Sequence, residues 1–123
     1  MKINYKIDNK QKAIIETWPE EILIEDYIDV KQRQFKDSDF NPDFDVITDL
    51  RGLTQKYKDV TIQEIIDFIA KNSNNMRDRK SAVIADNPHS VASAYVFKDK
   101  SKNLPVKIRV FSTIDAALEW LAY

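Results

Sequence analysis

The sequence predicts an α/β domain: a mostly parallel five-stranded sheet with elements in the order β-β-α-β-α-β-α-β-α. Three observations lead there. Short runs rich in β-branched residues alternate with stretches of helical periodicity, which is the pattern of β-α-β units and right-handed crossovers. A single glycine and four prolines are too few for the many tight turns of an all-β fold. The N-terminal segment alternates, turns, and supplies a second strand before any helix, so the first strand is antiparallel and lies at an edge. At 123 residues the chain makes one domain spanning 1–123, large enough for a single real core.

The elements follow in order. Over residues 2–7, Ile3, Tyr5 and Ile7 alternate with Lys2, Asn4 and Lys6, as in a half-exposed strand. Asp8-Asn9-Lys10 turns the chain into a second strand over 12–17. Trp18-Pro19-Glu20-Glu21 is expected to open a helix running to Phe35, with Pro19 in the first turn and two carboxylates at the positive end of the helix dipole. Its apolar set, Ile22, Leu23, Ile24, Tyr27, Ile28, Val30 and Phe35, is wider than one core-facing stripe needs. Either the helix packs on two sides, or part of it meets a partner chain or an apolar ligand. A homodimer through the 19–35 helix is one form of the second alternative.

Residues 37–43 place acids and amides at alternate positions, like a calcium loop. Pro42 stands where that loop needs glycine, and Thr48 where it needs a bidentate glutamate, so the segment reads as a surface turn. Phe44, Val46, Ile47 and Leu50 then form the central strand, bounded by Asn41-Pro42 and Arg51-Gly52. Thr61-Ile62-Gln63-Glu64 is expected to cap a helix carrying Ile62, Ile65, Ile66 and Ile69 on one face and ending at Asn72–Asn75. Ala82-Val83-Ile84-Ala85 is a strand buried on both faces. Asn87 caps the next helix, with Pro88 at its first position and Val91, Ala92, Tyr95 and Val96 expected to face inward. A polar loop at 99–103 precedes an edge strand at 106–110. Ser112-Thr113-Ile114-Asp115 caps the last helix, whose stripe is Ile114, Ala117, Leu118 and Leu121.

Composition narrows function. Nineteen basic and twenty acidic residues leave a net charge of −1, with no long-range pull toward nucleic acid or an anionic membrane. The densest basic run, Arg77-Asp78-Arg79-Lys80, reads as a solvated turn. With no cysteine, disulfides and thiolate metal sites are excluded, and one histidine excludes an intrachain His cluster. No stretch approaches the ~20 apolar residues of a membrane span, and no leader pattern is visible, so a cytoplasmic protein is expected. No cofactor or metal site is expected, since dinucleotide and phosphate loops need more glycine than this chain has.

The candidate site is the end of the central strand. Ligands of open α/β sheets bind beyond the strand C-termini, where Asp49, Arg51 and Gly52 fall, joined by Asp86 and His89 after the next strand. A purely structural turn is the competing reading, with Gly52 supplying a positive φ and Asp49 bonding nearby N–H groups. Asp49 and Asp86 each end a buried strand; if those strands are neighbours, their carboxylates lie close together, an arrangement that raises one pKa or binds a cation, while a cap is the ordinary role of Asp at such a junction. His89 is either a bystander in a first helical turn or a general base.

The strand ending Asp49-Leu50-Arg51-Gly52-Leu53, the segment Ala82-Val83-Ile84-Ala85-Asp86-Asn87-Pro88, and the ending Val110-Phe111 with Ala116-Ala117-Leu118-Glu119-Trp120-Leu121 resemble the SpoIIAA-like bacterial proteins. Those belong with the STAS domains (sulfate transporters and anti-sigma-factor antagonists) and are compared with CRAL-TRIO lipid-exchange proteins. The resemblance covers nearly the whole chain and implies a β-α superhelix. In the antagonists, a D-S-S-G-L turn after the central strand carries a phosphorylated serine that switches partners. Leu50 and Arg51 replace both serines here, so that switch is lost. The expected function is a non-catalytic regulatory module docking a protein partner or a small apolar or anionic ligand at this end of the sheet. The alternative is a small enzyme with Asp49 and His89 as acid and base and Arg51 holding an anionic substrate, or a lipid-type carrier using the same residues.

Overall fold

A computed structural model describes residues 2–76 and 79–123. The elements are β1 (Asn4–Asp8), β2 (Ala13–Thr17), α1 (Ile24–Lys36), β3 (Asp45–Asp49), α2 (Asp59–Lys71), β4 (Lys80–Ile84), α3 (Pro88–Lys100), β5 (Lys107–Phe111) and α4 (Ile114–Leu121). The strands lie side by side in chain order, β1 antiparallel to β2 and the other neighbours parallel. The expected α/β class, strand directions and element order are therefore observed.

Sequential order fixes the layers. Crossovers of one hand between successive neighbours carry α1, α2 and α3 to the same face of the sheet. Strand alternation sends Ile14, Glu16, Val46, Thr48, Val83 and Ile108 toward that face, where they join the main core with Trp18, Tyr27, Ile62 and Ile65. The opposite face is covered by α4 alone. There Ile47, Ala82 and Ile84 meet Ala117, and Trp120 packs on Phe111 with ring centroids 5.6 Å apart.

Several helix starts differ from the sequence expectation, the first two because tertiary partners outweigh a local signal and the last because a neighbouring residue takes the cap. Residues 19–23 do not coil. The Trp18 N–H continues the ladder to the Asp49 carbonyl at 3.1 Å, the Pro19 carbonyl accepts from the Tyr57 hydroxyl, and the Glu20 carboxylate accepts from the Thr54 N–H and hydroxyl. The helix starts at Ile24, where the Asp26 carboxylate accepts from the Leu23 N–H at 3.4 Å. Likewise α2 starts at Asp59, so Thr61 sits inside its first turn instead of capping it; the Tyr57 N–H anchors the preceding loop by donating to Ser93 Oγ at 3.0 Å. In α4 the cap is Thr113, whose hydroxyl accepts from the Ala116 N–H at 3.2 Å.

The inner face of α3 is as expected in part: Val91 and Val96 pack against the main core, and Ala92 and Tyr95 do not. Ser90, Ser93 and Ala94 are buried, while Ala92 and Tyr95 face out, Tyr95 being 53% exposed. Small side chains let this helix lie close to the sheet, so proximity outranked hydrophobicity. The Asn87 cap forms as expected: Oδ1 accepts from the N–H groups of His89 at 3.1 Å and Ser90 at 3.0 Å. The surplus apolar surface of α1 is mostly absorbed within the chain. Ile24 and Ile28 are half-buried, Phe35 meets Phe40 with centroids 5.3 Å apart, and Leu23 alone stays open at 66% exposure.

Ile47 carries no exposed surface and is the centre of the smaller core. Ile47→Ala is expected to destabilise by about 3 kcal/mol, read as a shift in urea midpoint at constant slope.

Candidate functional site

The turn after β3 is built by three residues acting on each other. The Asp49 carboxylate accepts from Arg51 Nε at 3.0 Å, Arg51 Nη2 at 2.9 Å and the Arg51 backbone N–H at 3.0 Å. This fork-on-fork pairing is the strong form of a charged hydrogen bond. Burial alone would raise the Asp49 carboxyl, but the Arg51 hydrogen bonds outweigh it and hold it below its ordinary range. From the neighbouring strand end, Asn87 Nδ2 donates to the Arg51 carbonyl at 3.1 Å and to Asp86 Oδ1 at 3.3 Å. The Leu50 N–H donates to the Ile84 carbonyl at 2.9 Å, which keeps the two strand ends level.

Asp49, Arg51 and Asp86 thus meet at one rim of the sheet, and Asp86 adds to the field that favours the Arg51 cation. His89 lies in the first turn of α3 with an exposed side chain. Its recorded tie to the group is its backbone N–H on Asn87, and the Asp49 carboxylate is occupied by Arg51. Gly52 does not supply a positive φ; among the described residues that conformation belongs to Lys12, at 55° in the β1–β2 turn. A Cβ at Gly52 would meet nothing within 4 Å.

The same rim carries apolar surface. Leu23, before α1, and Val60, in the first turn of α2, are 66% and 64% exposed. Beside Leu23 opens a cavity of about 190 Å³ lined by Glu20, Ile22, Leu23, Lys56, Tyr57 and Thr61.

A second polar cluster lies inside the molecule, and sequence reading missed it. Glu16 in β2 and Lys31 in α1 form an ion pair with side chains 1% and 2% exposed. Gln34 Nε2 donates to Glu16 Oε2 at 2.8 Å, the Trp18 indole donates to Oε1 at 2.9 Å, and Lys31 Nζ also donates to Gln34 Oε1 at 3.2 Å. Burial would raise the Glu16 carboxyl, but the Lys31 ammonium and these donors bring it below the ordinary value of 4.5. Burial lowers the Lys31 ammonium below its usual range, partly restored by Glu16 and lowered further by Arg79. Arg79 is itself buried at 8% exposure, and its Nη1 donates to the Phe44 carbonyl at 3.3 Å. The solvated-turn expectation for residues 77–80 is therefore corrected for Arg79, and Lys80 is half-buried in β4 with Nζ donating to the Trp120 carbonyl at 3.1 Å. Arg77 and Asp78 lie outside the described residues.

The missed signal was present. Tyr27, Val30, Lys31 and Gln34 fall at i, i+3, i+4 and i+7, the spacing of a core-facing stripe, with two polar members. Beside the cluster is a cavity of about 40 Å³ bordered by Trp18, Tyr27, Lys31, Thr48, Arg79 and Phe97. That is room for about two or three waters, an order of magnitude below a small-molecule pocket.

Among the described residues no group of three or more His, Asp or Glu side chains is arranged to hold a metal ion, and no helix is long and apolar enough to cross a membrane. No family model, curated protein or solved structure matches the chain.

Three predictions rest on this geometry. Gly52→Ala is expected to be neutral or to stabilise by about 0.5–1 kcal/mol in urea unfolding, because the backbone angle is ordinary and the added methyl has space. Glu16 binds its proton less tightly when folded than unfolded. Its contribution is therefore complete above the ordinary value of 4.5 and is lost as pH falls from there through the lower folded value. Urea midpoints measured across that acid window should fall in the wild type and fall less steeply in Glu16→Gln. At neutral pH Lys31→Ala should cost about 3–5 kcal/mol, since it strands a buried carboxylate.

Proposed function

We propose that this chain is a STAS-like binding module whose docking surface is the rim at the C-terminal ends of β3 and β4. Asp49, Arg51, Gly52, Asp86 and His89 make its polar centre, and Leu23 and Val60 its apolar shoulders. The observation that carries the reading is the Asp49–Arg51–Asn87 lock. It spends charged groups on holding an exposed turn rigid, and rigid exposed turns lose little entropy on association. Interfaces are rich in arginine and need apolar contact around it, which Leu23 and Val60 supply.

The STAS-like part of the proposal rests on the element order, the antiparallel edge strand and the Asp49-Leu50-Arg51-Gly52-Leu53 frame. In that frame the position of one switch serine is Leu50, buried at 3% exposure, and of the other Arg51, already paired with Asp49. Partner choice would then depend on surface complementarity at the rim and not on a phosphate added there. A cytoplasmic setting belongs to the same proposal and is supported by the absence of cysteine. The occupant is a protein partner: the cavity between Leu23 and Tyr57 is shallow, and the internal one is too small for a lipid-type ligand.

The test compares wild type with the double variant Leu23→Asp, Val60→Asp, two exposed positions outside the Asp49–Arg51 lock, in affinity capture from native lysate, followed by native mass spectrometry. The expected result is a species held by the wild type, a partner protein or a second copy of the chain, and lost from the variant at unchanged melting midpoint. Recovery of the same species by both proteins, or of nothing by either, overturns the assignment.

A further inference from the structure

A different edge of the molecule carries an interaction surface of its own. The chain is nearly neutral, but its charge is unevenly placed. Residues 95–111 hold five basic side chains, Lys98, Lys100, Lys102, Lys107 and Arg109, against one acid, Asp99. The rest of the chain holds fourteen basic and nineteen acidic residues. That basic segment is the second half of α3 plus β5, the outermost parallel strand.

β5 pairs on one side only. The Lys107 N–H donates to the Arg79 carbonyl at 3.0 Å, and the Phe111 carbonyl accepts from the Ala85 N–H at 2.9 Å. Residues 107, 109 and 111 therefore turn their backbone groups to β4, and by alternation Ile108 and Val110 turn theirs outward. Beside this edge runs a groove of about 360 Å³ lined by Tyr95, Lys98, Asp99, Lys102, Val106 and Ile108, with Lys102 paired to Asp99 at 2.8 Å. Tyr95 is 53% exposed there, with Lys98 Nζ 5.9 Å from its ring centre.

We propose that the β5 edge binds an extended acidic peptide segment as an added strand. Its backbone pairs with Ile108 and Val110. Its alternate side chains divide between two environments: apolar ones enter the groove against Tyr95, Val106 and Ile108, and carboxylates face Lys107 and Arg109 on the other side of the sheet. The recognised sequence thus alternates acidic and apolar residues. Backbone pairing supplies affinity in this mode, and the alternate pockets supply specificity. A second copy of this chain is the poorer occupant. Antiparallel pairing of two β5 strands about Ile108 or Arg109 sets cations of one copy against cations of the other, and like charges directly opposite destabilise a sheet. The same cations guard the free edge from self-association.

The probe is a short fluorescent peptide alternating glutamate and valine, with a lysine–valine counterpart as control. Fluorescence anisotropy should show saturable binding of the glutamate peptide and none of the control. Hydrogen exchange at the Ile108 and Val110 amides should slow in the complex. Lys107→Glu with Arg109→Glu should weaken binding by about tenfold or more, and added salt should weaken it in the wild type. Val110→Pro removes one outward N–H without touching the ladder to β4 and should also weaken binding. The proposal is overturned by failure to saturate, by equal binding of the lysine peptide, by protection at the Arg51 turn in place of β5, or by light scattering that shows only self-association. Should a charge-reversed variant fail to fold, the control peptide and the wild-type exchange pattern still decide.

Discussion

The buried contact between Glu16 and Lys31 is the constraint on which the remaining arrangement hangs. One partner belongs to the sheet and the other to the first crossover helix, and both are buried. Two charges taken out of water are costly unless each finds good geometry and further hydrogen bonds. Here the carboxylate accepts from Lys31, Gln34 and the Trp18 indole. That demand fixes both the rotation of α1 and its height over the sheet, since a shift of one residue along the helix would strand an ion. Trp18, held by the same carboxylate, is the pivot of the aromatic group formed with Tyr27, Tyr57 and Phe97. The core of this layer is thus registered by a polar contact and filled by apolar ones.

Registering α1 has a consequence at the rim. With the helix placed by Lys31 and Gln34, residues 19–23 must bridge from the end of β2 to Ile24 without coiling. They run beside the 54–58 loop, tied by Glu20 to Thr54 and by Pro19 to Tyr57. This leaves Leu23 in the open beside the loop that enters α2. The surface proposed for partner docking therefore depends on the interior pair as well as on its own residues.

Much of the fold could be read in the sequence because β-branched runs and helical stripes are strong, local and redundant. The central strand, the doubly buried Ala82-Val83-Ile84 run and the Asn87 cap belong to that class. The failures share a cause: each was a local rule overruled by a contact distant in sequence. Pro19 obeys the preference for a first helical turn, yet its carbonyl is claimed by Tyr57, 38 positions away. Tyr95 is the larger apolar residue, yet Ser93 and Ala94 take the inner face because the backbone must come close. Lys31 and Gln34 had the spacing of core residues and the chemistry of surface ones, and chemistry alone misassigned them. At the candidate site, Asp49, Arg51 and Asp86 could be named as strand-end residues, but their meeting depended on β3 pairing with β4, which local pattern does not encode. The bidentate closure of Asp49 on Arg51 could not be foreseen, because it turns on a side-chain rotamer that no spacing encodes.

The side-by-side order of the strands has a bearing on how the chain reaches this state. Each parallel pairing joins segments about thirty residues apart, as Ala13 with Asp45, Val46 with Ser81 and Lys80 with Lys107. No strand has to be slotted between two already in place. The sheet can accrete outward, one crossover at a time, with each loop closure comparable in entropy to the last. A ribbon wound in this manner exposes an unfinished border until its final turn is laid down, and β5, with its lysine and arginine, is the parallel border that stays open in the finished molecule, opposite the antiparallel border at β1.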